Sequence, residues 1–511
     1  MFGIVVSEAD HASTHIHEHL LALADWQTVE DTETPAEEGG GTVYRLPADA
    51  PETPGERPVE LRTFAELHID VDDPTPAFGG SATDAAAVGE SSTQNQPTDD
   101  LDLLVFASRH SGDTGALLTA HFTGNFGPAS YGGEPGSFAR ACPNAQKRIV
   151  AAFDEYAPDD YEVGIECTHH GPTEVAVPTM FAELGSGDEQ WRDPAGARAV
   201  ARAILAVVGT PADSDKQVVG FGGGHYAPRF ERVIRETDWA VGHIGADWPL
   251  DEMGAPDENR ETLRRAFEAS AADYALLEAE YPDLESVLDD LGYRVVSETF
   301  VRETDGVPLS LVETLESDLC RVDEGLRLGT PARVGGDVSG DGAGGDISDD
   351  GTTETATPEV VVRDLPADLL AEAQGVDGEA VWDCVRESCL AVETTEHGST
   401  VAGRAAFRGA SVAADADALL TGLVAVLREK YTEVTRVTDE SDDGSPEVVA
   451  RRSTFDPEKA RTLGISEGPA FGKLANGQAV EVNGRTIRPE TVTSEETRRF
   501  SVSSLVRSSA E

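Results

Sequence analysis

Short apolar runs rich in β-branched residues alternate with amphipathic segments along the first 330 residues. The strand-like runs are Phe2–Ser7, Leu61–Ile69, Leu101–Ser108, Ala116–Phe122, Tyr161–Cys167, Val218–Phe221 and Trp239–Ile244. The segments with helical periodicity are Asp10–Asp25, Pro143–Tyr156, Ala195–Val208, Phe230–Glu236 and Glu258–Tyr274. Short buried strands that alternate with helices predict an α/β fold, with a mixed, largely parallel sheet covered by helices on both faces.

Polar and glycine-rich stretches divide the chain into two predicted domains. Residues 331–358 are rich in Gly and Asp and are interpreted as a flexible linker. They separate a catalytic α/β domain, residues 1–330, from a smaller α+β domain, residues 359–511, which has no recognisable cluster of metal ligands. Segments 31–60 and 72–100 have little periodicity and are interpreted as acidic insertions. In the second domain, helical patterns cover residues 365–374, 381–392 and 417–431.

The charge balance points to the solvent in which the protein works. The 511-residue chain carries 95 Asp and Glu against 39 Lys and Arg, a formal net charge of −56, and only five of the basic residues are Lys. This composition is typical of proteins that stay solvated in concentrated salt, where a Debye length of about 3 Å at 1 M screens neighbouring carboxylates. The alternative is an acidic, partly disordered protein, but acidic residues inside the periodic segments favour the halophile. The charge excludes the usual basic surface of a nucleic-acid binder and opposes binding to an anionic membrane.

Cysteine usage and the absence of long apolar runs predict a cytoplasmic protein. The five cysteines are an odd number and form no CxxC pair, so no disulfide framework is expected. The N-terminus turns polar after six residues and predicts no signal peptide. No run of 18 apolar residues occurs, so no membrane span is expected.

Six of the twelve histidines end or follow the predicted strands, namely His110, His121, His169, His170, His225 and His243. Functional groups gather at the carboxyl ends of strands in such sheets, so these histidines predict one polar cleft. An isolated histidine is more often a structural group, but the repeated placement favours function. His11, His15 and His19 have i, i+4 spacing, which suits either a metal ligand set or a partly exposed polar helix face, and the polar face is the interpretation we favour.

The segment THHGPTE contains two adjacent histidines, whose side chains point to opposite faces of an extended chain. One of His169 and His170 can therefore enter the cleft while the other supports it. Glu174 lies close enough in sequence to orient a histidine or to accept a proton. A strand-to-loop junction with one buried histidine bonded to the backbone explains the segment equally well.

The segment GFGGGHYAPR places three glycines directly after a predicted strand. The amides of Gly222, Gly223 and Gly224 can form a nest for a phosphate or carboxylate. Tyr226 can stack on a base and Arg229 can pair with phosphate. A flexible turn is the alternative, and neither GxGxxG nor a Walker loop is present.

Six motifs occur in the order SEADHAS, FASRHSG, LTAHFTGNFG, ECTHHGPTE, GFGGGHYAPR and GHI. Together they closely resemble the archaeal and plant type of D-aminoacyl-tRNA deacylase, from residue 1 to about residue 275 apart from the two acidic segments. The resemblance implies a phosphorylase/hydrolase-like α/β fold. It also implies a zinc-dependent hydrolase that splits D-aminoacyl-tRNA into tRNA and free D-amino acid.

The resemblance also implies roles for individual residues. We expect Zn²⁺ to bind His110, His169, His225 and His243, and we expect Glu174, His121 and His170 to be catalytic. The chemistry of the residues, apart from the resemblance, leads us to expect that the 3′ end of the tRNA contacts Gly222, Gly223, Gly224, Tyr226, Arg229 and Arg109. Gly223 is further expected to line the wall that admits a D-amino acid. No obligate protein partner and no membrane is expected, and a monomer is favoured.

Two other classes of function remain open. A nucleoside phosphorylase or metallo-amidohydrolase of the same α/β class would also use a phosphate nest and histidines. A non-catalytic RNA-binding protein would need a basic or aromatic surface, which aromatic residues at 6% of the chain hardly supply.

Overall fold

A computed structural model describes residues 1–48, 50, 57–78, 101–333, 358–437, 445–482 and 484–506. Most of the predicted linker 331–358 and most of the acidic segment 72–100 lie outside these residues. The chain divides into two compact units, Met1–Arg302 and Glu303–Glu511, and each is described by itself.

The first unit contains a sheet of eight strands within the described residues. These strands are β1 (Phe2–Ser7), β2 (Gln27–Asp31), β3 (Gly41–Leu46), β4 (Val59–Phe64), β5 (Leu103–Arg109), β6 (Leu117–His121), β7 (Glu162–Ile165) and β8 (Thr179–Gly185). Their order is β2-β3-β4-β1-β5-β8-β6-β7. Strands β4, β1, β5 and β8 are parallel, whereas β6 runs antiparallel to β8 and carries β7 parallel to itself.

A second, fully parallel sheet of the same unit has the order β10-β9-β11-β12 within the described residues. Its strands are β9 (Gln217–Phe221), β10 (Ala240–Gly245), β11 (Tyr274–Leu277) and β12 (Arg294–Val296). The helices are α1 (His11–Leu23), α2 (Pro143–Tyr156), α3 (Asp188–Trp191), α4 (Pro194–Val207), α5 (Pro228–Glu236), α6 (Asp247–Met253), α7 (Arg260–Ser270), α8 (Pro282–Leu291) and α9 (Glu298–Glu303). Helices α1, α2 and α4 pack on one another and on the larger sheet.

The predicted α/β class with a mixed, largely parallel sheet is confirmed. All seven predicted strands of the first unit overlap an observed one, and α2 has the predicted bounds. Strand β8 was missed, although all seven of its residues are buried between β5 and β6. A charged residue, Glu183, interrupts the apolar run in its sequence TMFAELG, so the hydrophobic pattern did not predict a strand here.

The segment 31–60, expected to be an insertion with little regular structure, contributes to the main sheet. Strands β2 and β3 form an antiparallel hairpin, and β3 pairs with β4. A fully buried arginine, Arg62, joins the hairpin to β4. Its guanidinium donates to Glu60 Oε1 at 2.5 Å, to Asp31 Oδ2 at 2.7 Å and to the Gly39 carbonyl at 2.9 Å.

The second unit begins before the predicted linker. It contains β13 (Leu326–Leu328), β14 (Val360–Asp364), β15 (Ala391–Thr395), β16 (Thr400–Arg408), β17 (Glu433–Val437), β18 (Glu447–Phe455), β19 (Val480–Val482), β20 (Arg485–Ile487) and β21 (Thr493–Ser501). Strand β13 pairs with β15. The observed division at Arg302 therefore differs from the expected domain end at residue 330, because residues just before the linker complete a sheet with strands that follow it.

The helices of the second unit are α10 (Leu309–Asp318), α11 (Ala367–Gln374), α12 (Gly378–Ser388), α13 (Val412–Leu427), α14 (Pro457–Thr462), α15 (Pro469–Ala475) and α16 (Ser503–Val506). The segment Gly409–Leu427 is long and apolar enough to cross a membrane by composition alone. Within this segment, Leu419, Leu423 and Leu427 of α13 are fully buried in the core of the unit. A core helix of a globular unit passes the same test of composition, so the burial favours that interpretation.

We expect the buried network around Arg62 to carry much of the stability of the hairpin edge. Arg62→Leu leaves the carboxylates of Asp31 and Glu60 buried without their main partner, which costs about 3–5 kcal/mol. Arg45 also pairs with Glu60 but is 30% exposed, so Arg45→Ala should cost at most about 1 kcal/mol. Denaturant unfolding in molar salt measures both variants. Equal destabilisation by the two changes would contradict the prediction.

Candidate active site

The start of α1 is tied to the end of β5, where the candidate site begins. Asp10 caps the helix by accepting hydrogen bonds from the amides of Ala12 at 2.9 Å and Ser13 at 3.3 Å. Its second oxygen accepts from the Arg109 amide at 2.9 Å. The SEADHAS motif thus contains the helix cap, and this cap fixes the backbone that leads into His110.

His110 is buried, and both of its ring nitrogens face polar groups. Nδ1 lies 2.8 Å from Ser186 Oγ, and Nε2 lies 3.3 Å from Tyr226 Oη. Its carbonyl accepts a hydrogen bond from Trp191 Nε1 at 2.9 Å. Burial lowers the pKa of His110, which therefore stays neutral at neutral pH.

A buried carboxylate, Glu166, lies at the centre of the site, directly after β7. Its Oε2 is 2.7 Å from His225 Nε2, 3.7 Å from His169 Nε2 and 3.8 Å from His110 Nε2. Burial alone would raise the pKa of Glu166, but the hydrogen bond from His225 and the nearby imidazoles hold that pKa well below its usual range. Burial also disfavours a charge on His225, yet hydrogen bonds with Cys167 and Glu166 raise its pKa to about 10. The buried Glu166 and the partly exposed His225 therefore form an ion pair.

Three further imidazoles, those of His121, His169 and His170, share one arrangement. Their Nδ1 atoms lie beside the backbone carbonyls of Phe122 at 3.1 Å, Cys167 at 2.8 Å and Gly171 at 2.8 Å. A nitrogen beside a carbonyl must donate, so in the neutral ring Nε2 keeps a lone pair. One ring nitrogen from each lies within 4.8 Å of the others.

The environment keeps two of these three imidazoles uncharged. Burial lowers the pKa of His170 to about 3 and that of His169 well below its ordinary value. Burial also opposes a charge on His121, but Glu183 Oε1, 3.6 Å from its Nε2, outweighs burial and raises the pKa of His121. Burial in turn raises the pKa of Glu183 to about 7, so the pair shares a proton near neutral pH.

The sequence had predicted that the imidazoles meet at one edge of the sheet. In the structure they do not. Because β6 runs antiparallel to β8, His121 pairs with Phe181, whereas Arg109, just before His110, pairs with Leu184. His110 follows Arg109 and falls beside Gly185, so the two histidines lie four residues apart along β8. The loop after β7 brings Glu166, His169 and His170 into the space between them.

His243 does not join this cluster, contrary to the expectation that it binds metal. Its Nε2 donates to the Ala139 carbonyl at 2.9 Å, and its Nδ1 accepts from Thr168 Oγ1 at 3.0 Å. The Thr168 hydroxyl oxygen in turn accepts from the Ile244 amide at 3.0 Å. Both ring nitrogens are occupied in a fully buried setting, so His243 has a structural role.

Glu174, expected to be the catalytic acid or base, is exposed and makes no contact with the clustered histidines in the described part of the chain. Glu166, rather than Glu174, lies within 4 Å of three of the clustered imidazoles. Sequence reasoning missed Glu166, although a charged residue at the end of the apolar run YEVGI was a usable signal. It also missed Glu183, Cys167 and Ser186. These residues contact the imidazoles of His121, His225 and His110, respectively, and each pair is far apart in sequence.

The three glycines after β9 do not form an open anion nest. The Gly222 amide donates to the Gly245 carbonyl at 2.7 Å, and the Gly223 amide donates to Asp247 Oδ1 at 3.1 Å. Both residues have φ values in the left-handed region, which explains why glycine is needed at this turn. Gly224 alone has open space where a side chain would be.

The expected substrate-binding side chains fall into two groups. Arg229 is held by the Glu278 carbonyl at 2.6 Å and by Glu298 at 3.2 Å, so its pairing with phosphate is not supported. Tyr226 is 36% exposed beside His110. The Arg109 guanidinium lies 5.4 Å from the centre of the Trp191 ring and has no carboxylate partner among the described residues.

A separate cavity of about 530 Å³ lies behind the glycine turn. Four of its lining residues are acidic: Asp247, Asp251, Glu280 and Asp283. Clustered carboxylates repel a phosphate chain, so the histidine cluster is the better candidate for an RNA-directed site.

An α/β unit that gathers five imidazoles around a buried carboxylate has the groups that a hydrolase or a metalloenzyme needs. A family model described as D-aminoacyl-tRNA deacylase matches residues 97–296. A D-aminoacyl-tRNA deacylase of Halorubrum lacusprofundi is 48% identical over all of this chain and 99% of its own length. The D-aminoacyl-tRNA deacylase of Haloarcula marismortui is 48% identical over 98% of this chain and 100% of its own length. That of Methanoculleus marisnigri is 31% identical over 80% of this chain and 86% of its own length.

The chain therefore belongs to the D-aminoacyl-tRNA deacylase family. A solved structure of a conserved protein of unknown function is also similar, at 27% identity and a TM-score of 0.48, over 60% of this chain and 98% of its own.

Substitution of Glu166 and of Glu174, one at a time, tests which of the two carboxylates the hydrolysis requires. Glu166→Gln removes the charge that orients His225, and we expect the rate of D-aminoacyl-tRNA hydrolysis to fall about 10- to 100-fold or more. Glu174→Gln, the matched control, should leave the rate unchanged because its side chain is exposed. Single-turnover deacylation in molar salt measures both. A loss confined to Glu174→Gln would restore the sequence-based assignment.

Proposed function

We propose that the protein hydrolyses the ester of D-aminoacyl-tRNA at the histidine cluster, releasing the D-amino acid and the tRNA. The observation that carries this proposal is that all five clustered histidines lie within residues 97–296, which match the deacylase family. The nucleoside phosphorylase alternative is weakened because the amides of Gly222 and Gly223 already have acceptors within the protein.

We propose further that zinc is held by His121, His169 and His170, rather than by the ligand set expected from the sequence. A hydrogen bond from Nδ1–H to a carbonyl, with Nε2 left free, is the usual arrangement of a metal-binding histidine. His121 Nε2 makes no hydrogen bond among the described residues, and Glu183 Oε1, 3.6 Å away, would take the shared proton when a cation binds that nitrogen. His225 fits less well because it is protonated and paired with Glu166. Zinc would supply a Lewis acid that polarises the ester carbonyl and makes water more acidic.

The side chains around the zinc ligands would orient and stabilise the substrate. The imidazolium of His225, held by Glu166, supplies a fixed positive charge beside the site, which favours the oxyanion that forms as water attacks the ester. Tyr226 remains the candidate that contacts the terminal adenosine, and Arg109 the candidate for the 3′ phosphate. The protein is proposed to act in the cytoplasm, as a halophilic monomer without an obligate protein partner.

Metal removal tests the zinc proposal separately from the activity. We expect metal-free protein to lose hydrolysis and to recover it on addition of Zn²⁺, because the ester carbonyl loses its Lewis acid. In calorimetry, His169→Asn should abolish tight zinc binding. His397→Asn, at an exposed histidine of the second unit, should bind zinc as the unaltered protein does. Full hydrolysis by metal-free protein would contradict the zinc mechanism but not the deacylase assignment.

Chiral preference provides a test of the pocket wall. A Cβ on Gly112 would lie 3.0 Å from His110 Cε1 and 3.5 Å from Tyr226 Oη, whereas a Cβ on Gly223 would meet Glu278 at 3.3 Å instead. We therefore propose that Gly112, rather than Gly223, borders the amino-acid side chain. The φ of Gly112 lies outside the left-handed region, so alanine fits its backbone.

We expect Gly112→Ala to change the ratio of D- to L-aminoacyl-tRNA hydrolysis about tenfold, because a methyl group there narrows the space beside His110. Gly378→Ala, at an open position of the second unit, is the control and should leave the ratio as it is. Parallel loss on both enantiomers in Gly112→Ala would show that Gly112 does not select chirality.

A further inference from the structure

A line of four polar side chains leads from the surface to the open side of the histidine cluster. Thr114 Oγ1 contacts Ser186 Oγ, which lies 2.8 Å from His110 Nδ1, and His110 Nε2 lies 3.3 Å from Tyr226 Oη. Thr114 at the outer end is exposed, Ser186 and His110 are buried, and Tyr226 is 36% exposed. The line therefore joins two accessible hydroxyls through two buried groups.

The loop after β8 is shaped around His110. A Cβ on Gly185 would lie 2.6 Å from the His110 Cβ and 2.7 Å from its Nδ1, so only glycine permits this approach. Trp191, the last residue of α3, donates to the His110 carbonyl, and the Ser186 carbonyl accepts from the Gly112 amide at 3.3 Å. Both the ring and the backbone of His110 are thus fixed by residues 185–191 and 112.

The donors and acceptors of the four side chains allow the hydrogen bonds to run in either direction, and one of the two directions leads toward the cleft. Each hydroxyl has one proton to donate, and a neutral imidazole has one N–H. When Thr114 donates to Ser186 and Ser186 donates to His110 Nδ1, the imidazole proton lies on Nε2 and points to Tyr226 Oη. The Tyr226 proton is then available to a group outside the line, and the Thr114 hydroxyl also lies within hydrogen-bonding reach of Tyr226.

We propose that this line is a proton relay that protonates the ribose oxygen when the aminoacyl ester breaks. The inference rests on the proposed deacylase function. As the acyl C–O bond breaks, its electron pair passes to the ribose oxygen, which takes the proton of Tyr226. Tyr226 takes the Nε2 proton of His110, Nδ1 takes the proton of Ser186, Ser186 takes that of Thr114, and Thr114 takes one from solvent water. Water that attacks the acyl carbon returns a proton to solvent, so the protons balance.

Tyr226 is the catalytic residue of this relay, and Ser186 and Thr114 are positioning residues. A good leaving group departs without being protonated. Loss of a proton relay should therefore slow only the substrate with a poor leaving group, whereas loss of a structural contact should slow both substrates. We expect Ser186→Ala to lower kcat for D-aminoacyl-tRNA about tenfold or more with KM unchanged. An aryl ester of the same D-amino acid should be hydrolysed at the unaltered rate. Thr114→Val should act in the same way, and Thr114→Ser should restore the rate.

Ser214→Ala, a surface change in the same unit, is the control and should alter neither substrate. An equal loss on tRNA and aryl ester in Ser186→Ala, or no loss, would overturn the relay. The tautomer of His110, read from ¹⁵N shifts of the full chain, gives a second measurement that needs no activity. The relay requires Nε2–H in the unaltered protein and a mixture of tautomers in Ser186→Ala, and Nδ1–H in the unaltered protein would overturn it. If the unaltered protein cleaves no D-aminoacyl-tRNA, the proposed function fails, whatever the tautomer.

Discussion

The ion pair between the buried carboxylate of Glu166 and the partly exposed His225 is the interaction on which the candidate site depends. Its oxygen and nitrogen are 2.7 Å apart, and the same carboxylate oxygen lies within 4 Å of two more imidazoles. A carboxylate with 1% side-chain exposure is stable only when its charge is compensated. Since Glu166 and His225 come from different segments, that compensation also requires the segments to meet.

The imidazoles of the site differ in charge. His225 is held protonated by its carboxylate, whereas burial keeps His169 and His170 neutral. A cation for a developing oxyanion and lone pairs for a metal are both available in one cluster at neutral pH. The net charge of the chain, −56, plays no part in this difference, because short contacts inside the protein are screened far less by salt than surface charges are.

Much of the fold was predictable from the sequence because burial leaves a periodic pattern. The alternation of β1, α1 and β5 and the full extent of α2 follow from apolar spacing alone. Strand β8 escaped because Glu183 interrupts its apolar run, and the β2–β3 hairpin escaped because an edge strand buries few side chains. The buried charge of Arg62, which anchors that hairpin, is recognisable only once its partners Asp31 and Glu60 are in place.

The sequence by itself determined the fold class and the family, together with five of the histidines that cluster, because residue type and order along the chain carry that information. The tertiary structure decided what each of these residues does. Glu174 and Glu166 are both near the histidine pair in sequence, yet only Glu166 is buried among the imidazoles. His243 also follows the pattern, but its ring nitrogens are used by Ala139 and Thr168. Which groups surround a side chain depends on strand direction and loop path, and neither is written in local spacing.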